Sequence, residues 1–373
     1  MTRAMNFNAG PAALPFAALE RAREELLDFE GSGMSIMEHS HRGKVYERVH
    51  NEATALVAEL LGTPLATWDV LFVQGGASMA FAQIPMNFLG ASTKGDYVVT
   101  GAWGEKAVAE ARTIKALGGG EPNVAASTKG DDKSYVRVPK QAELKLTPNA
   151  AYLHVTSNET IHGVEYALGP DTPFPNADVP IVVDMSSDIL GRQVDASQFD
   201  VIYAGAQKNI GPSGVTIVAL KKEMTARGRK DIPTILQYRT AAENQSLYNT
   251  PPTFGIYLVR NTLTWMKTEG GVAAIEARNR KKAKAIYDAI DGSGGFYRCP
   301  VEPECRSIMN VVWRLPTEEL EDAFVKEASA EKMVGLKGHR AVGGIRASIY
   351  NAAELSWCEA LASFMKEFAK RRG

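Results

Sequence analysis

The chain has 373 residues, of which 45% are hydrophobic, enough to bury a large core and to divide into more than one domain. Its 42 basic and 43 acidic residues nearly cancel, which removes any bulk electrostatic reason to expect nucleic acid or an anionic membrane as partner, so an anionic ligand must be held by a local cluster. Cys299, Cys305 and Cys358 are too few for a disulfide framework or a zinc site, and neither a signal-like amino terminus nor a run of about 18 apolar residues is present, which points to a reducing, cytoplasmic setting.

Along the chain, Pro15 to Phe29 has apolar residues at helical spacing, with Gly31 placed to stop the helix, and Val45 to Leu60 marks a second helical face ended by Gly62. The pattern then alternates. DVLFVQGG reads as a strand, SMAFAQIPMNFLG as a helix containing Pro85, DYVVTGAW as a strand and GEKAVAEARTIKAL as a helix. AAYLHVT, PIVVDMS, FDVIYAGA and GVTIVALK are further short strands rich in β-branched residues, so the expected fold is α/β with a mostly parallel sheet covered on both faces. GVTIVALK follows its predecessor too closely for a helical crossover, which predicts one antiparallel pairing. Gly270 to Ile290 is a basic helix, RSIMNVVWRL and GGIRASIYN are strands, and an amphipathic helix through Leu355 and Phe368 closes the chain. The expected division is a large domain over 1–265 and a smaller α+β domain over 266–373.

Two residues at strand ends carry the chemistry. Asp184 ends PIVVD and Lys208 follows FDVIYAGA, so in a parallel sheet both face the carboxyl-end rim where ligands bind. Pyridoxal phosphate would use both, since its aldehyde needs an amine and its ring nitrogen an acid. Spacing alone leaves an ordinary ion pair, or two separate helix caps, as an equal alternative. FVQGGASMAF adds a glycine turn before a helix, where the amides of Ala77 and Ser78 can seat a phosphate. It lacks the Gly-Lys-Ser/Thr of a nucleotide loop and the chain has no dinucleotide fingerprint. Trp103 can lie against a pyridine ring or simply fill core, and Asn158, Glu159 and Thr160 offer polar groups at the rim or only form a turn.

The ordered set FNAGPAALP, SHRGK, SNETIHG, DMSSDILGR, YAGAQKNIGPSG, YNTPPTF and KGHRAVGGIRASIYNA, from about residue 6 to the carboxyl terminus, resembles the phosphoserine aminotransferase family. That family is a branch of the class V aminotransferases among fold-type I pyridoxal phosphate enzymes. The resemblance implies a seven-stranded, mostly parallel sheet between helices, with Lys208 on the cofactor aldehyde and Asp184 on its ring nitrogen. It implies Trp103 on the ring face, Thr160 near the ring hydroxyl, and Ala77, Ser78 and Gln207 at the phosphate, with Asn249 and Thr250 reaching that phosphate from the neighbouring subunit of a homodimer. Arg346 is implied as the clamp on the substrate α-carboxylate. His339 and Arg340, with His41 and Arg42 across the dimer, are implied at the distal anion. The implied substrates are glutamate and 3-phosphohydroxypyruvate; some relatives also accept a four-carbon phospho-keto acid in pyridoxine biosynthesis.

This chain has Ser78 where many bacterial relatives carry an arginine and Ala9 where some carry a serine, which alters the anion pocket and leaves the cofactor residues intact. His39 and His41 lack an acidic or cysteine partner at metal-ligand spacing, so no metal is expected. The competing readings are an aminotransferase for uncharged substrates of the serine or alanine–glyoxylate type, and a pyridoxal phosphate-binding protein without activity. A cysteine desulfurase fits poorly, because Cys305 has no recognisable motif around it.

Overall fold

A computed structural model describes residues 3–166 and 172–373. Its centre is a seven-stranded sheet, in the spatial order Trp68–Gly75, Gly214–Lys221, Val201–Gly205, Ile181–Asp184, Leu153–Thr156, Lys94–Val99, Glu121–Ser127. Gly214–Lys221 is antiparallel to both of its neighbours and every other pairing is parallel. The expected single antiparallel pairing is thus doubled, because the short return from Val201–Gly205 inserts the strand between two others. Val201–Gly205, Ile181–Asp184 and Leu153–Thr156 are buried along their whole length, which explains the apolar runs of the first two; the third also buries His154, whose Nε2 pairs with Tyr203 OH at 2.8 Å.

Glu121–Ser127 was not legible as a strand. It is the sheet's edge, half exposed, and built of Pro122, Asn123 and small residues with weak strand preference. The first helix covers only Phe16–Glu24. Asp28 Oδ1 accepts the Gly33 amide at 2.7 Å and the Phe29 amide donates to Met34 O at 2.8 Å, so local loop closure ends the helix before Phe29 is reached. Helix Lys44–Leu61 stops at Gly62 in the left-handed conformation (φ 71°). Helix Thr253–Thr268, which the sequence reading passed over, packs against it.

The described residues bury two main apolar clusters. The larger surrounds the sheet. The smaller lies mostly beyond residue 280, around Phe324, Trp313 and Phe368, and also takes in Phe7 and Ala13. Helix Gly271–Asp291 spans the two, with Ile275 in the first and Ile286 in the second. The amino-terminal arm is laced into both: Met5 pairs with Met333, Ser348 N donates to Phe7 O at 3.1 Å, Tyr350 OH to Ala9 O at 2.8 Å, and Ala12 N to Gln207 O at 2.9 Å. Among the described residues no helix is long and apolar enough to cross a membrane, and all three cysteines are free thiols.

Candidate active site

The parallel strands end on one rim, and each hands a short segment to it. After Val201–Gly205 the chain makes a single tight turn, with the Ile210 and Gly211 amides both returning to Ala206 O. A Cβ at Gly211 would stand 2.6 Å from Val259 Cγ2, so only glycine lets this turn pack against helix Thr253–Thr268. Lys208 leaves the turn and its Nζ donates to Thr160 Oγ1 at 2.6 Å. The ammonium also lies 4.9 Å from the Trp103 ring centroid. Burial lowers its pKa to about 8, against the upward pull of the Asp184 and Glu159 carboxylates.

Asp184 is buried at the end of Ile181–Asp184. Its Oδ1 accepts from Ser186 N at 2.9 Å and Ser186 Oγ at 2.5 Å, while Oδ2 has no hydrogen-bond partner among the described residues. Burial raises its pKa, and the Ser186 hydrogen bonds and the Lys208 charge oppose that rise. No direct ion pair joins Asp184 to Lys208, whose amine is turned to Thr160 instead. The ion-pair alternative therefore fails on geometry. The two groups act on each other through their charges alone.

Glu159 is fully buried and accepts the amides of Trp103 at 3.0 Å and Gly104 at 2.9 Å, capping helix Ala102–Ala116. A Cβ at Gly101 would come within 2.4 Å of its carboxyl carbon, so the cap and the glycine fit only as a pair. This capping fixes the base of Trp103. Asn158 faces elsewhere, donating to Ser187 Oγ and Asn310 Oδ1 at 2.8 Å each.

At helix Ala77–Phe88 no side chain caps the amino end, and the Ala77 and Ser78 amides have no acceptor among the described residues. Gln207 converges on the same spot: a Cβ at Gly205 would lie 2.6 Å from Gln207 Oε1 and 3.3 Å from the Ala77 amide nitrogen. Gln207 Oε1, Trp103 Nε1 and Arg346 Nε are buried without partners. Buried polar atoms are ordinarily satisfied, so this convergence of orphaned groups, with the free Asp184 oxygen, marks a cradle shaped for a ligand. Its donor set fits pyridoxal phosphate: open amides for a phosphate, an aromatic ring face, a carboxylate and an amine.

Arg346, on strand Ile345–Ser348, donates to Thr160 O at 3.4 Å, which places it beside the Lys208–Thr160 contact. His339 and Arg340 lie in the turn before it. Burial lowers the His339 pKa, and the charges of Arg346, Arg340 and Lys106 lower it further, so the imidazole is neutral at pH 7. The turn is tightly braced. Arg314 Nη1 donates to Val342 O at 2.8 Å, and Glu321 accepts Arg314 Nε at 2.6 Å and Gly344 N at 3.0 Å.

A single chain thus brings together Lys208, Asp184, Thr160, Trp103, Ala77, Ser78, Gln207, Arg346 and His339, with Arg340 exposed in the turn beside His339. It does not bring in the other four. His41 and Arg42 lie in the turn before helix Lys44–Leu61, and Asn249 and Thr250 lie beside Gln74, whose Nε2 donates to Thr250 O at 3.1 Å. Sequence reasoning missed Ser186, the capping role of Glu159, Glu321 and Asn209. Asn209 links Ile189 O at 2.6 Å to the Asn351 amide at 2.9 Å, holding the lysine turn on both sides. Only Asn209 and Ser186 had a signal, as polar residues next to the strand ends that carry Lys208 and Asp184.

Known proteins resemble this chain over nearly its whole length. Residues 4–361 match the family model described as aminotransferase class-V. The chain is 54% identical over 371 residues to the phosphoserine aminotransferase of Niallia circulans, covering 100% of this chain and 99% of that protein. It is 50% identical over 368 residues to that of Bacillus subtilis (strain 168), covering 99% of each. Among solved structures, phosphoserine aminotransferase from Bacillus circulans subsp. alkalophilus superimposes with TM-score 0.93 at 54% identity, covering 100% of this chain and 99% of that one. The pyridoxal phosphate-bound phosphoserine aminotransferase of Trichomonas vaginalis superimposes with TM-score 0.91 at 39% identity, covering 98% and 100%.

Proposed function

Because the chain belongs to the class V aminotransferase family and matches its phosphoserine branch over its whole length, we propose that it is a phosphoserine transaminase of serine biosynthesis. It moves the amino group of L-glutamate to 3-phosphohydroxypyruvate, reversibly, giving 2-oxoglutarate and O-phospho-L-serine. The observation that carries this reading is the Lys208 amine donating to Thr160 Oγ1 at 2.6 Å, with Arg346 on the carbonyl of the same threonine and the Asp184 carboxylate buried at the neighbouring strand end.

Pyridoxal 5'-phosphate, when bound, supplies an electron sink for the substrate α-carbon. Lys208 would hold its aldehyde carbon, Asp184 its ring nitrogen, Thr160 its hydroxyl side, Trp103 its ring face, and Ala77, Ser78 and Gln207 its phosphate. Arg346 orients the substrate α-carboxylate beside Thr160, since its fork binds two carboxylate oxygens at once. That places the α-carbon near Lys208 Nζ. With a pKa of about 8, a sizeable share of the amine is neutral near physiological pH, able to take the α-proton and return it on the far side of the transfer. The buried Asp184 carboxylate keeps positive charge favourable next to it. Arg340 and a neutral, hydrogen-bonding His339 receive the distal carboxylate or phosphate.

The remaining parts come from a second copy. A homodimer would seat Asn249 and Thr250 of the partner subunit at the cofactor phosphate, and His41 and Arg42 of the partner subunit at the distal anion. Exposed apolar side chains a few positions from these residues, Met37 at 50% and Tyr248 at 46% exposure, support a surface that another copy covers. Residues 1–265 then carry the cofactor and 266–373 close over the substrate, in the cytoplasm. Pyridoxine biosynthesis through a four-carbon phospho-keto acid is compatible with the same anion pocket.

The decisive assay compares amino acceptors. With glutamate as donor, kcat/KM for 3-phosphohydroxypyruvate is expected to exceed those for hydroxypyruvate and glyoxylate by at least about a hundredfold, since the unphosphorylated acceptors forgo the charge-assisted bonds of the distal anion. A preference for glyoxylate or hydroxypyruvate sinks the assignment. The braced turn gives a second expectation: Glu321→Gln should raise KM for the phosphorylated acceptor roughly three- to tenfold, by loosening His339 and Arg340, while the bound cofactor keeps its visible absorbance. Steady-state kinetics beside the spectrum separates the two effects; an altered spectrum with unchanged KM contradicts the bracing role.

A further inference from the structure

Lys282, on helix Gly271–Asp291, is fully buried and has no part in the chemistry above. Its ammonium donates to Ile349 O at 2.9 Å, Tyr350 O at 2.7 Å and Ala353 O at 3.0 Å. An ammonium has three N–H donors, and these three carbonyls take them all. No carboxylate pairs with it among the described residues. The titratable groups that act on it are Arg278 and Cys358, and burial pushes the Cys358 thiol up to about 12, so neither supplies a negative charge. An apolar side chain would fill the space at lower desolvation cost, so what the ammonium adds is direction: three donors that fix three carbonyls at once.

Those carbonyls belong to the turn 349–353, which continues strand Ile345–Ser348 and begins three residues beyond Arg346. The same turn is tied on its other sides. Asn279, one helical turn before Lys282 and on the same face, donates to Asn351 Oδ1 and to Gly191 O at 2.8 Å each. The Asn351 amide donates to Oδ1 of Asn209, the neighbour of Lys208, at 2.9 Å. Tyr350 OH donates to Ala9 O at 2.8 Å and accepts from Asn310 Nδ2 at 3.2 Å. The turn therefore stands between the Lys208 segment and the strand that carries Arg346, and helix Gly271–Asp291 holds it through two side chains. Its position sets the spacing between the amine that moves the α-proton and the guanidinium that receives the α-carboxylate.

Resting on the reading of Arg346 as the α-carboxylate clamp, we propose that Lys282 and Asn279 are positioning residues, which fix Arg346 relative to Lys208 by pinning the 349–353 turn. Neither touches substrate. They serve both halves of the reaction, because glutamate and 3-phosphohydroxypyruvate each present an α-carboxylate to the same guanidinium.

The test uses the cofactor-loaded enzyme. Lys282→Met keeps most of the side chain's length and removes its charge and donors. It is expected to raise KM for both glutamate and 3-phosphohydroxypyruvate about tenfold, with kcat within about threefold and the visible absorbance of the bound cofactor unchanged. In an Arg346→Ala background the same substitution should add less than about twofold, because a residue that acts through Arg346 then has nothing left to position. Should Lys282→Met fail to fold, Asn279→Ala, which removes no charge, carries the test: both KM values should rise about threefold, and that effect too should vanish in the Arg346→Ala background. A lower melting temperature with both KM values unchanged would show a purely stabilising role, and a rise in only one KM a role away from the shared carboxylate. An effect that persists in full without Arg346, or an altered cofactor spectrum, would place the action elsewhere; any of these four overturns the proposal. If Arg346→Ala alone leaves both KM values unchanged, the reading of Arg346 itself falls, and this proposal with it.

Discussion

Lys208→Ala should reduce the steady-state transamination rate by at least about a thousandfold, because it removes both the covalent anchor of the cofactor and the base over the α-carbon. The fold should survive, since the lysine is held by one side-chain hydrogen bond to Thr160 and the turn beneath it by Ala206, Asn209 and Gly211. Purified wild-type protein should be yellow, and borohydride should fix the cofactor's mass on the peptide that contains Lys208. An undiminished rate in the alanine variant, or reduction onto another lysine, would remove Lys208 from the mechanism. The pH dependence has a definite sign. Burial lowers this amine from its ordinary 10.5 to about 8, so its neutral fraction grows as pH rises and levels off above about 8. Competitive acylation of the cofactor-free protein, read by mass spectrometry, should show Lys208 reaching full reactivity about two pH units before the surface lysines.

Asp184→Asn tests the other half of the constellation. Asparagine can still accept from Ser186 through its carbonyl oxygen, so the local hydrogen bonds persist and only the charge is lost. The expected result is a fall in kcat of about a hundredfold or more, with a shifted visible absorbance, while the cofactor still binds. A variant within threefold of wild type would mean that the ring nitrogen needs no anionic partner here. Since burial raises the Asp184 pKa, this carboxylate takes up a proton earlier than an exposed aspartate as the pH falls. In the cofactor-free protein the asparagine variant should lose this proton uptake, read by pH titration against wild type.

What could be read in the sequence follows a physical division. Strands buried on both faces, such as Val201–Gly205, announce themselves as unbroken apolar runs, and the chemical residues at their ends stand out against them. Edge elements such as Glu121–Ser127 do not, because half their surface is wet and their composition is that of a loop. Lys208 and Asp184 were visible for this reason, but their relation was not: an ion pair and a ligand site have the same spacing, and the direction of the Lys208 amine toward Thr160 separates them. Supporting residues were hidden because their meaning lies in partners far along the chain. Glu159 is one turn residue among three until it is seen capping the helix behind Trp103, and Glu321 sits in an acidic helix start until Arg314 and Gly344 are seen on it. His41, Arg42, Asn249 and Thr250 were legible by family resemblance alone, and a single chain keeps them apart from the Lys208 cradle.

The amino-terminal arm carries a consequence for the order in which this site can be assembled. Tyr350 and Ala9 meet across 341 positions of sequence, and Met5 pairs with Met333. The arm therefore finds its strand partner across most of the chain, although Ala12 is already tied to Gln207. The sheet around Lys208 is built from contacts closer in sequence, whereas the wall that Phe7 and Ala9 share with the Arg346 strand depends on closure across 341 positions. Such long-range closure is slow compared with local helix and hairpin formation. A refolding enzyme should accordingly acquire its cofactor cradle before it acquires its grip on the substrate.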